Sequence, residues 1–332
     1  MARNSLKYEL NKRTFESEIQ RKDKLSDQTI TNYKHYNAQF RDFCQRIGVN
    51  TFDKLQKQGK AVLASYGEEM ESRGLSASTI HSYLSAPCKA LGIHMQDVEK
   101  PKRITAKGSR SAGVESARSG SEKMSPEYQA AYRFCEVVGI RKREAMRLTG
   151  DCVTREESGW LCVLVKSGKG GKFQRQRILP EHEDTVLEAF KGKAPDERIF
   201  SGRQFSKNIN YHLARAKHAQ EAYRYYKDHY QTETARAKLA GELVNEYRSA
   251  LIRSLESGKI KSVKELERRT AHFAREVIRD RDKPYYIRGA NKALAESKGL
   301  PVEYDRLALM AVSVFHLAHW RLDVTVTNYM VK

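Results

Sequence analysis

Cysteine is scarce in this sequence, and the cysteines present do not form a recognisable pair. Only five of the 332 residues are cysteine, and no two of them occur as Cys-x-x-Cys. A zinc ribbon and a disulfide framework are therefore not expected, and the thiols should be reduced core residues of a cytosolic protein. We also expect none of them to act as a catalytic nucleophile.

Long apolar runs are missing as well. No apolar stretch approaches the roughly twenty residues needed to span a bilayer, and the first residues mix polar and charged side chains unlike a secretory signal. We therefore expect no membrane partner. The nucleotide-binding pattern G-x-x-x-x-G-K-[ST] is also absent, despite a Gly-Lys-Gly at 168–170. We predict that no ATP, other cofactor or metal is required.

Acidic residues are in deficit. Lysine and arginine number 61 against 41 aspartates and glutamates, which gives a formal net charge of +20. A surplus of this size favours a polyanionic partner, because each neutralised phosphate releases condensed counterions. Hydrophobic residues make up 39% of the chain, enough for folded cores. The charge therefore favours a polyanionic partner, and the expected location is cytoplasmic and nucleoid-associated.

The first third of the chain has the pattern of a helical domain followed by a linker. Within residues 1–97, Ser26 is typical of a helix N-cap, a second helix is predicted over about 58–73, and a third over 76–92. Residues 98–123 are rich in serine, glycine and basic residues and poor in large apolar ones. That composition predicts a flexible basic linker.

Residues 124–332 have the pattern of a second globular domain with both helices and strands. An apolar run at 160–165, a glycine-rich turn and a return run at 173–179 predict a β-hairpin. From about 181 onward the pattern is helical. The stretch at about 215–280 is long and charged, and we interpret it as a helical insertion. The expected fold class is mainly α with a small β-hairpin or sheet.

Five residues of this second region could carry chemistry. Arg141 follows a glycine turn at a predicted helix start, and Lys169 lies in the hairpin turn. Arg288 opens another predicted helix, and His319 precedes Tyr329 by ten residues. Each of them alone has an ordinary structural explanation. Their order in a strongly basic chain indicates a tyrosine that attacks a DNA phosphate.

In that order the residues resemble the tyrosine recombinase (phage integrase) family. Gly-Ile-Arg-x-x-Glu at 139–144 is similar to the first arginine box of the family. The turn at 166–172, followed by Arg-Ile-Leu-Pro, resembles its lysine hairpin. Leu-Ala-His at 317–319 stands where the family has Leu-Gly-His. Residues 1–97 then resemble the helical core-binding domain, and 124–332 the α+β catalytic domain.

The resemblance implies a site-specific DNA recombinase or integrase, expected of a mobile element or plasmid. Such an enzyme cuts and rejoins DNA through a 3′-phosphotyrosyl intermediate, with no metal and no ATP. Because recombination joins two duplexes, the resemblance also implies a homotetramer on specific DNA sites. Both domains are expected to clamp the duplex through phosphate contacts and helices in the major groove.

The resemblance also implies a role for each of the five residues. Tyr329 would be the nucleophile, and Lys169 would protonate the departing 5′-oxygen as general acid. The guanidinium groups of Arg141 and Arg288 would bind the non-bridging phosphate oxygens through forked hydrogen bonds. His319 would hydrogen-bond the phosphate or orient the site. The supporting residues are Glu144, Tyr285 and Trp320.

The second arginine box departs from the usual His-x-x-Arg of the family. With Arg288 as its arginine, the aligned histidine position is Tyr285, which leaves the general base unassigned. Two literal His-x-x-Arg strings occur at 212–215 and 272–275, but both lie in charged helical stretches farther from His319 than the family spacing suggests. We predict Arg288 as the second arginine, with Arg275 as the next candidate.

Three further functions remain open on the sequence. A type IB topoisomerase and a hairpin telomere resolvase share the same tyrosine chemistry, and a non-catalytic DNA-binding regulator could use the same fold. The insertion at 215–280 could bind DNA or contact a neighbouring protomer. We favour the protomer contact, because only three residues follow Tyr329 whereas many relatives pass a C-terminal tail to a neighbour.

Overall fold

The computed structural model describes residues 5–19, 25–105, 124–169, 171–205 and 209–331. The chain divides into two compact units, Met1–Ile104 and Thr105–Lys332. Both are mainly helical, and the only strands among the described residues form two small antiparallel sheets. The predicted fold class is therefore confirmed. Within the described ranges, no helix has both the length and the apolar character needed to cross a membrane.

The first unit is a bundle of short helices. Helices α1 and α2 pack against α5, and their buried residues Leu10, Phe40 and Leu84 share one core. The Ser26 and Ser76 side chains accept hydrogen bonds from backbone N–H groups three residues later, so the predicted N-cap at Ser26 and the predicted start near Ser76 are confirmed. Its helices are α1 (Leu6–Ile19), α2 (Asp27–Arg46), α3 (Phe52–Lys57), α4 (Gly59–Ser72) and α5 (Ala77–Leu91).

The predicted linker falls mostly outside the described residues, from 106 to 123. Its first part packs on the first unit. Val98 is buried in that core, the Lys100 ammonium donates to the carbonyl oxygen of Val98 at 2.8 Å, and the Pro101 carbonyl oxygen lies 3.0 Å from the His81 ring. Residues 98–101 thus pack as an extension of the first unit.

The second unit packs its other elements around one largely buried helix, α9 (Tyr211–His229). Its elements, in chain order, are α6 (Pro126–Val138), α7 (Lys142–Ala145), β1 (Val153–Arg155), β2 (Leu161–Val165), β3 (Gln174–Arg177), α8 (Glu183–Phe190), α9 (Tyr211–His229), α10 (Glu233–Glu256), α11 (Val263–Asp280), β4 (Pro284–Tyr286), α12 (Gly289–Ser297), β5 (Glu303–Asp305), α13 (Arg306–Ala311) and α14 (Leu322–Thr325). Two π-helical turns, Val312–His316 and Val326–Met330, follow α13 and α14.

The first sheet contains the predicted hairpin, β2 and β3, with β2 as its central strand. Strand β2 pairs antiparallel with β1 and with β3, with Val163 opposite Gln176 in the second pair. Four of the five β2 residues are buried, which explains its continuous apolar run. The second sheet, in which Tyr285 of β4 faces Tyr304 of β5, was not predicted. Its strands have only three residues each, which is too few for an alternation of apolar and polar residues to be recognised in the sequence.

Three helices, α9, α10 and α11, occupy the range that we interpreted as an insertion. Helix α9 is a core element, because Ala214, Ala219 and Ala222 are fully buried and bring it close to its neighbours. It packs along α6 and against both π-helical turns. Helices α10 and α11 form an antiparallel hairpin on this core, and α10 also packs against α13.

Candidate active site

A buried arginine on α9 connects the parts of the candidate site. The Asn210 side chain caps α9, and Arg215 lies in its second turn with no exposed surface. Its guanidinium donates hydrogen bonds to the carbonyl oxygen of Gly139 and, at 2.6 Å, to that of Leu317. Its Nε donates to the phenolic oxygen of Tyr329 at 3.3 Å. Arg215 therefore joins the turn before Arg141, the loop before His319 and the tyrosine itself.

The Tyr329 hydroxyl lies between Arg215 and His319. The His319 Nε2 is 3.3 Å from the phenolic oxygen, on a side chain that is partly buried. Because a guanidinium can only donate, the Arg215 contact uses an oxygen lone pair and leaves the phenol proton for His319. This pattern requires the His319 tautomer with its proton on Nδ1.

The surroundings of His319 keep its imidazole neutral. Burial lowers the pKa of His319 to about 3, and the positive charges of Arg215, Arg141 and Lys169 act in the same direction. The charges of Arg141 and Lys169 are therefore near enough to His319 to influence its protonation. At neutral pH the imidazole is therefore uncharged, and its Nε2 lone pair can accept a hydrogen bond from the phenol.

The loop that carries His319 has a strained backbone. Ala318 and Trp320 flank the histidine with φ values of 49° and 56°, in the left-handed region that favours glycine. Two bonds from Ser313 hold the loop: its carbonyl oxygen accepts from the His319 N–H at 2.8 Å, and its hydroxyl accepts from the Arg321 N–H at 3.2 Å. Glycine would adopt the φ at position 318 without this strain.

Glu144 links the first arginine to the lysine turn. Its carboxylate accepts from the Arg141 guanidinium at 2.8 Å, from the Lys169 backbone N–H at 3.2 Å and from the Gln174 amide at 3.1 Å. Burial alone raises the pKa of Glu144, but Arg141, Arg215 and these hydrogen bonds hold it below its ordinary value. The ionised carboxylate thus orients Arg141 and fixes the turn at Lys169.

The lysine turn itself is exposed at its tip. Lys169 is exposed, whereas Lys166, a competing lysine, forms an ion pair with Asp151. At Gly168 an added Cβ would lie 1.7 Å from the Gln174 Nε2 atom, so the close approach of turn and strand requires glycine there. Lys172 is also exposed, but of the lysines in this turn it is Lys169 whose charge lowers the pKa of His319.

Arg288 lies outside the active-site cluster, which comprises Arg141, Lys169, Arg215, His319 and Tyr329. Arg288 precedes α12 as its exposed N-cap residue, and among the described residues no hydrogen bond links it to Tyr329 or His319. Its charge acts on Tyr285, which lies on β4 near Arg306 and Asp323. Arg275, the next candidate, is exposed on α11. Arg215 was missed although its His-x-x-Arg string was visible, because chain spacing to His319 was given more weight.

Trp320 lies beside the cluster as a packing residue. Its ring contacts Tyr247 of α10 and Phe273 of α11, with centroid distances of 5.3 Å and 5.8 Å. Tyr247 and Phe273 stack on each other at 4.2 Å. The α10–α11 hairpin therefore holds the residue that follows His319.

Two buried histidines adjoin the site. The His218 Nε2 lies 2.9 Å from His316 Nδ1, and the His316 Nε2 lies 3.2 Å from the Tyr226 hydroxyl. Burial lowers the pKa of His218 to about 3 and that of His316 well below its usual value. Both are therefore neutral structural residues at neutral pH.

Gly139 is expected to be intolerant of any side chain. Its φ is +67°, and an added Cβ would lie 2.2 Å from the His218 ring. We expect Gly139→Ala to lower the free energy of unfolding by about 4 kcal/mol, from backbone strain plus overpacking. Gly299→Ala is the matched control, because Gly299 has φ +64° and nothing within 4 Å of the added Cβ. It should cost only about 1 kcal/mol in the same urea titration.

The clash can be separated from the backbone strain with a second variant. Replacing His218 by alanine in the Gly139→Ala background should recover part of the lost free energy, with a coupling of about 1–3 kcal/mol. Equal effects of Gly139→Ala and Gly299→Ala, with no coupling to His218, would contradict the contact.

Stability is expected to fall as the pH drops below about 6.5, the ordinary histidine pKa. The lowered pKa values of His218, His316 and His319 mean that the unfolded chain binds up to three more protons there. His182 acts in the opposite sense, because its ion pair with Glu221 raises its pKa. The net loss should approach about 3 kcal/mol per pH unit near pH 5.5.

Urea titrations between about pH 7.5 and 5.5 measure this loss. His316→Gln should reduce the slope by about one proton's worth, roughly 1.4 kcal/mol per pH unit. His94→Gln, at an exposed histidine, is the matched control for the substitution itself. A flat stability profile over this interval would refute the assignment of neutral buried histidines.

One group of side chains in the described part of the chain could hold a cation. Ligand atoms of Glu181, His182 and Glu221 lie within 4.8 Å of one another. The His182 Nε2 and a Glu221 carboxylate oxygen are already 3.0 Å apart as an ion pair. None of these residues belongs to the cluster around Tyr329.

Comparisons with known proteins give matches among solved structures alone. No protein-family model and no curated protein matches the chain. One similar structure is the XerH site-specific recombinase bound to difH substrate in a pre-cleavage complex, with 16% identity, a TM-score of 0.37, and coverage of 62% of this chain and 71% of that chain. Another is XerA recombinase, with 19% identity, a TM-score of 0.23, and coverage of 66% and 85% respectively.

Proposed function

We propose that the protein cuts and rejoins DNA through a covalent bond between Tyr329 and a backbone phosphate. The observation that carries the proposal is the pair of 3.3 Å contacts from Arg215 and His319 to the Tyr329 hydroxyl. Arg141 and Lys169 add positive charge beside it. A hydroxyl between a fixed cation and a neutral base is the arrangement of an activated nucleophile.

In the proposed reaction the phenol proton moves to His319 as the phenolic oxygen attacks phosphorus. The His319 imidazole is neutral at pH 7, since burial lowers its pKa to about 3, and Nε2 faces the proton. The negative charge of a bound phosphate raises this pKa again and strengthens the base. The Arg215 guanidinium stabilises the phenolate that forms, because its Nε already donates to that oxygen. His319 therefore takes the role of general base that the sequence left unassigned.

Arg141 and Lys169 act on the phosphate and the leaving group. Arg141 is partly exposed, and only one of its guanidinium nitrogens is bound to Glu144, so other N–H groups remain for non-bridging oxygens. As the Tyr329–phosphorus bond forms, the bond from phosphorus to the 5′-oxygen breaks, and Lys169 protonates that oxygen. The phosphotyrosyl bond conserves the ester, so a 5′-hydroxyl can reverse the reaction without ATP.

We further propose that this chemistry serves site-specific recombination between two duplexes of a mobile element or plasmid, with a homotetramer assembled on DNA. The chain's net charge of +20 supports DNA as the partner. The order of the first arginine box, the lysine turn and the Leu-Ala-His segment supports the recombinase class over an unrelated nuclease. Arg215 replaces Arg288 as the second arginine in this proposal, and His212 opens its His-x-x-Arg string.

Covalent capture on DNA tests the proposal and needs no defined target sequence. The protein is incubated with fragmented genomic DNA, denatured, and the DNA bound covalently to it is recovered and sequenced at its 3′ ends. We expect a phosphotyrosyl peptide that contains Tyr329 and a small set of enriched sequences. DNA that binds tightly but never becomes covalently attached would favour a non-catalytic regulator and overturn the proposal.

The captured sequence then allows the related enzyme classes to be distinguished. Paired sites on one plasmid should yield exchanged products if the protein is a recombinase. Relaxation of supercoiled plasmid that lacks paired sites would indicate a topoisomerase, and covalently closed hairpin ends would indicate a telomere resolvase.

A further inference from the structure

The outer face of α11 carries a continuous row of basic side chains. Lys264, Arg268, His272, Arg275 and Arg279 are all exposed and recur every three or four residues. At 3.6 residues per turn they fall within an arc of about 80° on the helix. The row from Lys264 to Arg279 is about 22 Å long, at 1.5 Å per residue. We name this row the α11 basic face.

Three cations of the α11 basic face have no ionic partner among the described residues. Within those ranges, Lys264, Arg268 and Arg275 make no ion pair with any carboxylate. By contrast, cations outside the row are paired: Arg248 with Glu267 at 2.7 Å, and Arg269 with Glu265 at 2.6 Å. Of the other two members of the row, His272 lies 3.4 Å from Glu276 and Arg279 is paired with Asp280 at 2.8 Å. The unneutralised charge of the row therefore comes from Lys264, Arg268 and Arg275.

A duplex is a better partner for this face than a second copy of the chain. Double-stranded DNA carries about one negative charge per 1.7 Å of axis, so a straight row of cations can neutralise several phosphates at once. A second copy of the chain, with a net charge of +20, would meet the face with like charge. The face therefore fits phosphate, and self-association through it would be opposed by repulsion.

The inner face of the same hairpin contacts the candidate active site. Phe273 of α11 and Tyr247 of α10 both contact Trp320, which follows His319 directly. Trp320 has a positive φ, so its backbone depends on its surroundings for support. A ligand held on the outer face of α11 would consequently be fixed relative to the loop that carries His319.

We propose that the α11 basic face binds the phosphate backbone of DNA outside the cleavage site. The α10–α11 hairpin then anchors the duplex relative to His319 and Tyr329 through the packing of Phe273 on Trp320. This inference rests on the proposed function, since it takes DNA as the substrate. It replaces the contact between protomers that the sequence favoured for this region.

The test compares two triple variants of the full chain, each carrying Tyr329→Phe so that no cleavage intervenes. The first removes the unpaired cations of the row: Lys264→Gln, Arg268→Gln and Arg275→Gln. The matched control removes three cations that are paired with carboxylates: Lys191→Gln, Arg248→Gln and Arg269→Gln. Both lower the net charge by three. Affinity for a mixed-sequence duplex of about 40 base pairs is measured between about 50 and 200 mM salt.

We expect the first variant to bind at least about tenfold more weakly at low salt, and the slope of log K against log salt to become shallower by about 2 to 3. The control should change affinity less than about threefold, as its cations already have partners. Equal losses of DNA affinity in the two variants would overturn the inference. It would also be overturned if the first variant bound DNA with unchanged affinity but its protomers no longer assembled on DNA.

Failure of this inference can be told apart from failure of the proposed function. If the protein with Tyr329 intact forms a covalent adduct while the first triple variant binds DNA like the control, only the role of α11 is refuted. If no adduct forms at all, the proposed function fails whatever the salt dependence.

Discussion

Replacing Tyr329 by phenylalanine is expected to abolish covalent attachment to DNA, with a loss of about 10⁴-fold or more relative to the unchanged chain. The variant lacks the only atom that can form the phosphotyrosyl bond, so no slower route through the same residue remains. The phenyl ring keeps its place, because Tyr329 is only 6% exposed in the core that surrounds α9. DNA binding should therefore persist while adduct formation stops.

A matched control for this variant is Tyr226→Phe. Tyr226 lies on α9 and is buried, as Tyr329 is. Its hydroxyl lies 3.2 Å from the His316 ring and does not contact the active-site cluster. Each substitution removes one buried hydroxyl and should cost a similar free energy of unfolding, about 1–3 kcal/mol. Only Tyr329→Phe should lose the adduct. Retention of adduct in Tyr329→Phe would assign the nucleophile to another residue.

Replacing Arg215 is expected to be far more damaging than replacing Arg288. Arg215→Ala removes the cation that donates to the Tyr329 hydroxyl, and we expect the rate of adduct formation to fall about 10³-fold. Arg288 is exposed at the start of α12. Arg288→Ala should change the rate less than about threefold. Single-turnover adduct formation on the captured DNA sequence measures both.

Arg215 is also a structural residue, and its effect on folding must be separated from its effect on chemistry. Its guanidinium binds the carbonyl oxygens of Gly139 and Leu317. Truncation removes the donor to the Leu317 carbonyl oxygen, at a cost of about 1–3 kcal/mol, whereas the Gly139 carbonyl oxygen keeps a 3.3 Å hydrogen bond from the Gln176 amide. Arg215→Lys retains the charge but cannot satisfy this three-way fork. We expect it to fold, as judged by urea titration, and still to form adduct about 10²-fold more slowly. A fully active Arg215→Lys, or an inactive Arg288→Ala, would restore Arg288 as the second arginine.

The local elements of this fold follow from short stretches of sequence. The serine at 26 begins α2 because its hydroxyl accepts from the N–H of Thr29, and the turn at Gly139 ends α6 because glycine alone adopts its φ of +67° without strain. The apolar run of β2 and its partner β3 were likewise predictable. These features depend on neighbours a few residues apart, which a single sequence displays. Strands β4 and β5 were too short to display any such pattern.

The candidate site depends on contacts that sequence spacing does not reveal. Arg215 is separated by 102 residues from Leu317 and by 114 from Tyr329, yet it donates to both. Between them the chain forms α10, α11, the second sheet and α12, which shift every spacing in this region. The sequence by itself determined the residue types, their order and the strong positive charge. Only tertiary packing decided which arginine faces the tyrosine, because burial of α9 against the two π-helical turns brings Arg215 to the phenol and leaves Arg288 at the surface.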